Sequence, residues 1–209
     1  MLELGCGAGA AILCLMTRVA GLEATGVEMQ APYADLARHN AKANGLALEV
    51  VTARIEALPK ALSARAFDHV IANPPYFDAN SVTSPKNASK EIAHEAPAEM
   101  LALWVDVARR RLRPAGQLTL IHRVEALPRL LAALEGPFGD ISVIPITSRR
   151  DRASERVILR ARKGRRGPMS LQAPLVMHHG KCHGAADDAY SDVAKSILLE
   201  AEALPMCSP

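Results

Sequence analysis

The sequence predicts an α/β fold with a mostly parallel sheet and helices on both faces. Short apolar runs alternate with longer helical stretches along most of the chain, which is typical of βα units on a parallel sheet. The last two predicted strands are joined by arginine-rich turn residues with no helix between them, so they should pair as an antiparallel hairpin. We therefore expect seven strands, the last of them antiparallel.

The first part of the chain alternates regularly between predicted strands and helices. Strands are predicted at residues 2–4, 24–28, 48–52 and 68–72, and helices at residues 10–19, 32–41 and 55–62. Pro32 suits the first turn of the second helix, and Gly45 suits the position just after its end. Two prolines follow Asn73 and end the fourth strand.

The second part begins with a polar segment, residues 77–97, that is longer than most connections in compact domains. We expect this segment to form a loop over the site. Strands are predicted at residues 117–122, 141–146 and 156–161, and helices at residues 97–113, 125–134 and 192–204. Pro114-Ala115-Gly116 predicts a turn before the fifth strand.

Length and composition predict a single domain without a membrane segment. The chain has 209 residues, of which 49% are hydrophobic and 22% charged, enough for one buried core. No apolar run reaches the roughly 18 uncharged residues that a membrane-spanning helix needs, and the first residues do not resemble a signal peptide. The four cysteines form no CxxC pair, which indicates a reducing, cytoplasmic compartment.

A glycine cluster and an acidic residue predict a binding site for a nucleotide-like ligand. Gly5-Cys6-Gly7-Ala8-Gly9 lies between a predicted strand and a helix, where glycines allow close approach of backbone to a ligand. Glu28 ends the next strand, where a carboxylate can accept hydrogen bonds from two ribose hydroxyls. Taken singly, the cluster could be a tight turn without a ligand and Glu28 an exposed strand-end acid. Together they favour a ligand at one edge of the sheet.

Asn73-Pro74-Pro75-Tyr76 follows a buried predicted strand and should lie at the same carboxyl edge of the sheet. The two prolines restrict the backbone, so that the Asn73 amide oxygen and the Pro74 carbonyl are preset acceptors for a planar NH₂ group. Acceptors in this position align the amine and stabilise positive charge that develops on its nitrogen, so no strong base is required. The alternative is an ordinary proline turn after a strand.

Several segments together resemble a known enzyme family. Leu2 to Gly9, Val27-Glu28, Val70 to Phe77 and the turn at Arg113 to Gly116 are similar to class I methyltransferases of the NPPY type. Residues 156–164 and Leu175 to His178 extend the similarity to the bacterial tRNA adenine-N6 methyltransferases that modify the adenine beside the anticodon of valine tRNA. The resemblance covers nearly the whole chain.

The resemblance implies a Rossmann-like class I methyltransferase fold, S-adenosylmethionine as cofactor and adenine as the methylated base. It implies that residues 1–163 form the methyltransferase domain and that residues 164–209 form an extension, with a hairpin and a terminal helix, packed on it. The family normally has sequence before the first glycine motif, so we expect an amino-terminal segment to be missing here. Asn73, Pro74, Pro75 and Tyr76 would form the catalytic turn. The implied cofactor-binding residues are Leu4, Gly5, Cys6, Gly7, Ala8, Gly9, Glu28, Met29, Arg54 and Ile55.

Two further groups of residues bear on the substrate. Arg149, Arg150 and Arg152 should lie at the active-site edge and bind phosphate, while Phe77 and Tyr76 can stack on a base. The basic tract continues through Arg160, Arg162, Lys163, Arg165 and Arg166, although a solvated charged hairpin is the alternative. The cluster from His178 to His183 matches no common zinc spacing, so no metal is expected.

The leading hypothesis is therefore transfer of a methyl group to adenine N6 in tRNA, with RNA as partner. A protein glutamine N5-methyltransferase is the alternative enzyme, because a primary amide presents a similar NH₂ group. An RNA-binding protein that has lost catalysis is the alternative of another class.

Overall fold

The computed structural model describes residues 1–76, 97–180 and 190–204. Within these ranges nine strands form one sheet: β1 (Leu2–Leu4), β2 (Thr25–Glu28), β3 (Glu49–Thr52), β4 (Phe67–Ala72), β5 (Leu112–Arg123), β6 (Phe138–Thr147), β7 (Arg156–Lys163), β8 (Ser170–Leu171) and β9 (Leu175–Val176). The helices of the same ranges are α1 (Ala10–Arg18), α2 (Ala31–Ala43), α3 (Lys60–Ser63), α4 (Pro97–Arg111), α5 (Leu127–Leu134) and α6 (Asp192–Leu199).

The strands are arranged in the order β3-β2-β1-β4-β5-β7-β6-β8, and β9 also pairs with β6. Strands β1 to β5 are parallel to one another, and β7 is antiparallel to both β5 and β6. The prediction of a mostly parallel α/β sheet with an antiparallel last hairpin is thus confirmed. The two short strands β8 and β9 were not predicted, since two-residue segments carry too little periodicity to be recognised.

Three elements differ from the prediction by more than three residues. The predicted helix at residues 55–62 is divided into a 3₁₀ turn (Ile55–Ala57) and the short α3, because Pro59 has no N–H to continue the first turn. The predicted turn at residues 114–116 lies within the long β5. There it forms an irregularity where the register with β4 shifts, and Ala115 has a φ of 60°.

Helix α6 ends at Leu199 and not at residue 204 as predicted. Ala201 adopts a left-handed backbone conformation with a φ of 57°, and the Glu202 N–H donates to the Ser196 carbonyl at 3.0 Å. This arrangement closes the helix end in the way that a C-terminal left-handed residue commonly does. The predicted loop at residues 77–97 falls almost wholly outside the described residues.

The main core lies where α4 and α5 pack against the centre of the sheet. It includes Leu4, Val70, Leu120 and Trp104, and a smaller cluster joins Ile12 of α1 to its neighbours from α2. In the described ranges, no helix combines the length and the apolar character needed to cross a membrane.

The parallel strands determine where a ligand can bind. Leu4, at the end of β1, is in register with Val27 of β2 and Ala72 of β4. The residues that follow these three strands therefore meet at one carboxyl edge, the edge at which open α/β sheets bind ligands.

Candidate active site

A cavity of about 210 Å³ opens at this carboxyl edge. Its floor is formed by residues that follow β1, β2, β3 and β4, and α4 supplies Met100, Leu103 and Trp104. Seven residues predicted from sequence lie on its wall: Gly5, Glu28, Met29, Arg54, Ile55, Asn73 and Pro75. The cavity therefore joins the predicted cofactor residues to the predicted catalytic turn.

The other predicted cofactor residues support this cavity without lining it. The Leu4 side chain is fully buried in the core, and Cys6 is packed so closely against β2 that a Cβ at Gly26 would lie 2.7 Å from its sulfur. The Ala8 carbonyl accepts a hydrogen bond from Asn40 Nδ2 at 3.0 Å, and the Gly9 N–H donates to the Cys6 carbonyl at 2.8 Å. These contacts hold the glycine loop in one shape.

Glu28 is a buried carboxylate at the wall of the cavity, only 7% exposed. Its Oε2 accepts a hydrogen bond from the Gly7 N–H at 3.0 Å, and its Oε1 accepts one from the Gln30 N–H at 2.8 Å. Each carboxylate oxygen can accept more than one hydrogen bond. Glu28 thus connects the glycine loop to the end of β2 and keeps acceptor capacity for a ligand. Because it is buried, it is not the exposed strand-end acid of the alternative interpretation.

The glycine loop requires left-handed backbone at Gly5, Gly7 and Gly9, whose φ values are 67°, 54° and 85°. Gly5 has a second constraint, because a Cβ there would lie 2.5 Å from Cη2 of Trp104. A Cβ at Gly7 would meet no atom within 4 Å. The sequence showed the glycines, but it could not show that an indole ring from α4 covers the first of them.

The pair Gly5→Ala and Gly7→Ala separates these two constraints. Gly7→Ala is expected to cost about 1 kcal/mol of unfolding free energy, since only the left-handed backbone is penalised. Gly5→Ala should cost about 2–4 kcal/mol, because the indole ring must also move. Urea denaturation of both variants measures the difference, and equal costs would show that Trp104 does not pack on Gly5 in solution.

The turn Asn73-Pro74-Pro75-Tyr76 begins immediately after β4. Pro74 is buried, whereas Asn73, Pro75 and Tyr76 are exposed, and Asn73 and Pro75 line the cavity. The Tyr76 ring meets the ring of His122 edge to face, with 4.9 Å between centroids and an interplanar angle of 86°. Phe77, predicted to stack on substrate, lies outside the described residues.

One buried titratable residue beside the site, Glu3, was missed by the sequence analysis. Glu3 in β1 is 5% exposed, and its Oε2 has no hydrogen-bond partner within the described residues. Burial raises the pKa of Glu3 to about 8, against a small opposing effect of the Ile12 backbone N–H. Burial, followed by the nearby Glu3 and Glu28 carboxylates, raises the pKa of the Cys6 thiol to about 12. A raised pKa and close packing against Gly26 suit Cys6 to a packing role.

The arginines after β6 occupy two different environments at the carboxyl edge. Arg149 is 5% exposed, and its guanidinium donates to the His179 carbonyl. Arg150 and Arg152 are exposed in the same turn, which Thr147 braces by donating to the Arg149 and Arg152 carbonyls. Arg156 begins β7 opposite Arg123 at the end of β5, so both lie at this edge as well.

The rest of the basic tract does not lie along the active-site edge. Because β7 is antiparallel to β5, it runs away from the catalytic turn, and Arg162 is paired with Gln117 near the opposite edge. Lys163 Nζ donates to the Leu112 carbonyl there. The tract therefore leads to the opposite edge of the sheet; it includes Arg160, Arg162, Lys163, Arg165 and Arg166.

No group of three or more potential metal ligands occurs in the parts of the chain that the structure describes. His178 stacks on Tyr190 with 5.2 Å between ring centroids, and His179 Nε2 lies 3.5 Å from a carboxylate oxygen of Asp192. Cys182 and His183 lie outside the described residues.

Comparison with known proteins adds to this geometry. A family model described as "Methyltransferase domain" matches residues 1–94. A crystal structure of a predicted O-methyltransferase from Agrobacterium tumefaciens is similar over 94% of this chain and 86% of its own, with a TM-score of 0.74 and 27% identity. Residues 1–94 therefore match a methyltransferase domain. The sheet and helices of the chain have the fold of class I S-adenosylmethionine-dependent methyltransferases.

Two kinds of curated relative resemble this methyltransferase domain. A tRNA1(Val) (adenine(37)-N6)-methyltransferase from Shewanella halifaxensis is 33% identical over 131 residues, which cover 61% of this chain and 52% of the relative. A release factor glutamine methyltransferase from Salmonella typhimurium is 33% identical over 130 residues, covering 58% of this chain and 46% of the relative. The chain spans about half the length of these relatives.

The structure of a Thermus thermophilus 16S rRNA N2 G1207 methyltransferase in complex with AdoMet and guanosine is also similar to the methyltransferase domain. The match has a TM-score of 0.54 and 26% identity, and it covers 78% of this chain and 36% of that structure.

Proposed function

We propose that this methyltransferase domain transfers a methyl group from S-adenosylmethionine to an exocyclic amine, namely N6 of an adenine in tRNA. The observation that carries the proposal is that Glu28 and Asn73, from the ends of two different strands, line one cavity. A carboxylate suited to a ribose and an amide suited to an amine therefore face a common space.

The residues of the cavity suit this cofactor. Glu28 can accept hydrogen bonds from the two ribose hydroxyls, because its oxygens are already oriented by the Gly7 and Gln30 N–H groups. Met29 and Ile55 offer apolar surface to an adenine ring, and the glycine loop leaves room for backbone contact beside Gly5. When bound, S-adenosylmethionine supplies an electrophilic methyl group. Of the cofactor residues predicted above, we propose that those lining the cavity would contact it, namely Gly5, Glu28, Met29, Arg54 and Ile55. The others would hold the loop in shape, namely Leu4, Cys6, Gly7, Ala8 and Gly9.

Replacing Glu28 by Ala should weaken cofactor binding. The change removes two charge-assisted hydrogen bonds to ribose and releases the Gly7 N–H, so the dissociation constant is expected to rise about 10²-fold. Calorimetric titration with S-adenosylmethionine measures it. Glu23→Ala, at an exposed residue before β2, is the matched control and should bind as the unaltered protein does. Equal affinity of the two variants would remove Glu28 from the site.

The catalytic turn would hold the amine. We infer that Asn73 Oδ1 and the Pro74 carbonyl accept hydrogen bonds from the NH₂ group and so orient its nitrogen lone pair toward the cavity. The same acceptors stabilise positive charge that develops on the nitrogen, and the surplus proton then leaves to solvent. Pro75 stiffens the turn, while the exposed ring of Tyr76, with Phe77, would stack on the base.

An RNA substrate is supported by the charge of the carboxyl edge. Arg150 and Arg152 are exposed there, and Arg156 begins β7 at the same edge. Guanidinium groups at the same edge of the sheet as the cavity suit contact with phosphates that flank a target nucleotide. Arg149, being buried against the His179 carbonyl, would support the turn that presents its neighbours and would not itself reach a phosphate. The names of several relatives, from Shewanella and Porphyromonas, point to the same substrate.

The second candidate is methylation of a glutamine side-chain amide in a protein. It is favoured by the similarity to a release factor glutamine methyltransferase, and a primary amide presents the same planar NH₂ group to Asn73. Labelled cofactor incubated with total tRNA and, separately, with a release factor distinguishes the two by which fraction gains label. Nucleoside mass spectrometry of the tRNA should then show N6-methyladenosine.

A third reading is an RNA-binding protein without catalysis. It predicts tRNA binding but no saturable binding of S-adenosylmethionine, so calorimetry at millimolar cofactor separates it from both enzymes.

We further propose that residues 1–163 form the methyltransferase domain and residues 164–209 an extension. Strands β8 and β9 of that extension join the same sheet through β6. A tRNA substrate would imply a cytoplasmic location.

A further inference from the structure

His122 lies beside the catalytic turn, yet it has no role in the reaction proposed above. It is the last buried residue of β5, on the same face of the strand as Leu118 and Leu120, and only 4% exposed. Its ring meets the Tyr76 ring edge to face at 4.9 Å. A strand neighbouring β4 thus places an imidazole directly behind the turn.

The imidazole is unusual because both of its nitrogens are buried without a hydrogen bond of normal geometry to any described residue. Buried polar groups in folded proteins are nearly always paired, so each exception calls for an explanation, and a role in function is one such explanation. The Pro75 carbonyl lies close enough to raise the pKa of His122, as does that of Arg123. A small movement of the turn would therefore bring a His122 N–H into a good hydrogen bond.

The surroundings of His122 favour the neutral form of its ring. Burial is the main cause that lowers the pKa of His122, and the guanidinium groups of Arg129 on α5 and Arg123 on β5 lower it further. The Pro75 and Arg123 carbonyls act in the opposite sense but do not reverse the direction. A neutral imidazole has one N–H to donate and carries no net charge, so the neighbouring arginines do not repel it.

The turn needs a donor of this kind because prolines restrict only part of the backbone. The rings of Pro74 and Pro75 lock φ, but ψ of Pro75 stays free to rotate. That rotation swings the Pro75 carbonyl and the following Tyr76 ring, and it disturbs the neighbouring Pro74 carbonyl. A group that holds the Pro75 carbonyl from outside would remove the remaining freedom.

We propose that His122 is a positioning residue for methyl transfer, which fixes the Asn73-Pro74-Pro75-Tyr76 turn by donating to the Pro75 carbonyl while its ring packs against Tyr76. This inference rests on the proposed function of the turn. The hydrogen bond shortens when substrate presses on the turn, as catalytic hydrogen bonds often do on binding. His122 does not touch substrate or cofactor.

The test compares His122→Phe, which keeps a flat ring without a donor, with His122→Gln, which keeps an N–H donor. His122→Phe is expected to lower kcat for tRNA methylation about 10²-fold, as small misplacements of reacting groups do. The kcat of His122→Gln should be at least about tenfold higher than that of His122→Phe. The cofactor dissociation constant should stay within about twofold in both variants, since Glu28 and the glycine loop are untouched. His69→Asn, at an exposed histidine of β4, is the control.

Equal kcat loss in His122→Phe and His122→Gln, or a parallel loss of cofactor binding, would overturn the positioning role in favour of simple packing. A second measurement does not depend on activity. Nitrogen-15 spectra of the imidazole in the unaltered protein at neutral pH should show an uncharged ring with one fixed tautomer. A ring that is charged at neutral pH, or that exchanges between tautomers, also overturns the inference. If neither tRNA nor a release factor is methylated, the proposed function fails, while the spectra still decide the state of His122.

Discussion

Replacing Asn73 by Ala is expected to lower turnover about 10²- to 10³-fold while cofactor affinity stays nearly unchanged. The reason is geometric: Asn73 lines the same cavity as Glu28, the residue that would bind the ribose. Its amide oxygen is one of the two proposed acceptors for the substrate amine. Without it the amine can rotate about the remaining hydrogen bond to Pro74. Single-turnover methylation of tRNA measures the rate, and calorimetry measures the affinity.

Asn44→Ala supplies the matched control for this experiment. Asn44 is an exposed residue at the end of α2, and its side chain bonds only to the Asn40 carbonyl at 2.8 Å among the contacts within the described residues. The same change of side chain there should leave turnover unaltered. Undiminished turnover of the Asn73 variant would show that the turn does not hold the amine, and the proposed chemistry would have to be abandoned.

The second large effect concerns the pH dependence of stability. The pKa of Glu3 is about 8 in the folded protein and has its ordinary value of 4.5 when the chain unfolds. Above pH 4.5 the unfolded chain releases this proton while the folded chain retains it, so the free energy of unfolding falls as the pH rises toward 8. Glu3→Gln, which is neutral at every pH, should abolish this fall. We expect the variant to be roughly 4 kcal/mol more stable than the unaltered protein at pH 8.

Near pH 4.5 the two proteins should have similar stability, because Glu3 is then protonated in the folded state and increasingly so in the unfolded state. Urea denaturation between pH 4.5 and pH 8.5 gives both curves, and their difference isolates Glu3 from His122 and other titrating groups. Glu23→Gln, at an exposed carboxylate, should leave the curve unchanged. Parallel curves for the Glu3 variant and the unaltered protein would mean that Glu3 is ionised within the fold.

The buried carboxyl of Glu3 shows that the glycine motif cannot be interpreted from its glycines alone. Glu3 lies one residue before Leu4 and two before Gly5, and its buried carboxyl faces the region of Cys6. A charge placed there would act on the loop that the cofactor is proposed to contact. Keeping Glu3 protonated thus contributes to holding the loop in its folded shape.

The sequence by itself determined the order of the elements and the edge at which the site forms. Alternation of apolar strands and helices is a local property, and parallel strands bring their carboxyl ends together wherever they lie in the chain. For that reason the sequence alone assigns Gly5, Glu28 and Asn73 to one edge of the sheet. In the structure these three residues line one cavity.

What only the tertiary structure decided is the set of contacts between residues that are far apart in the chain. Trp104 over Gly5, His122 behind Tyr76 and Arg149 against the His179 carbonyl depend on how helices and strands pack. The separation of the basic tract into two edges depends on the direction of β7. Periodicity and spacing record which way a side chain faces within its own element, whereas these contacts arise when separate elements close on one another and exclude water.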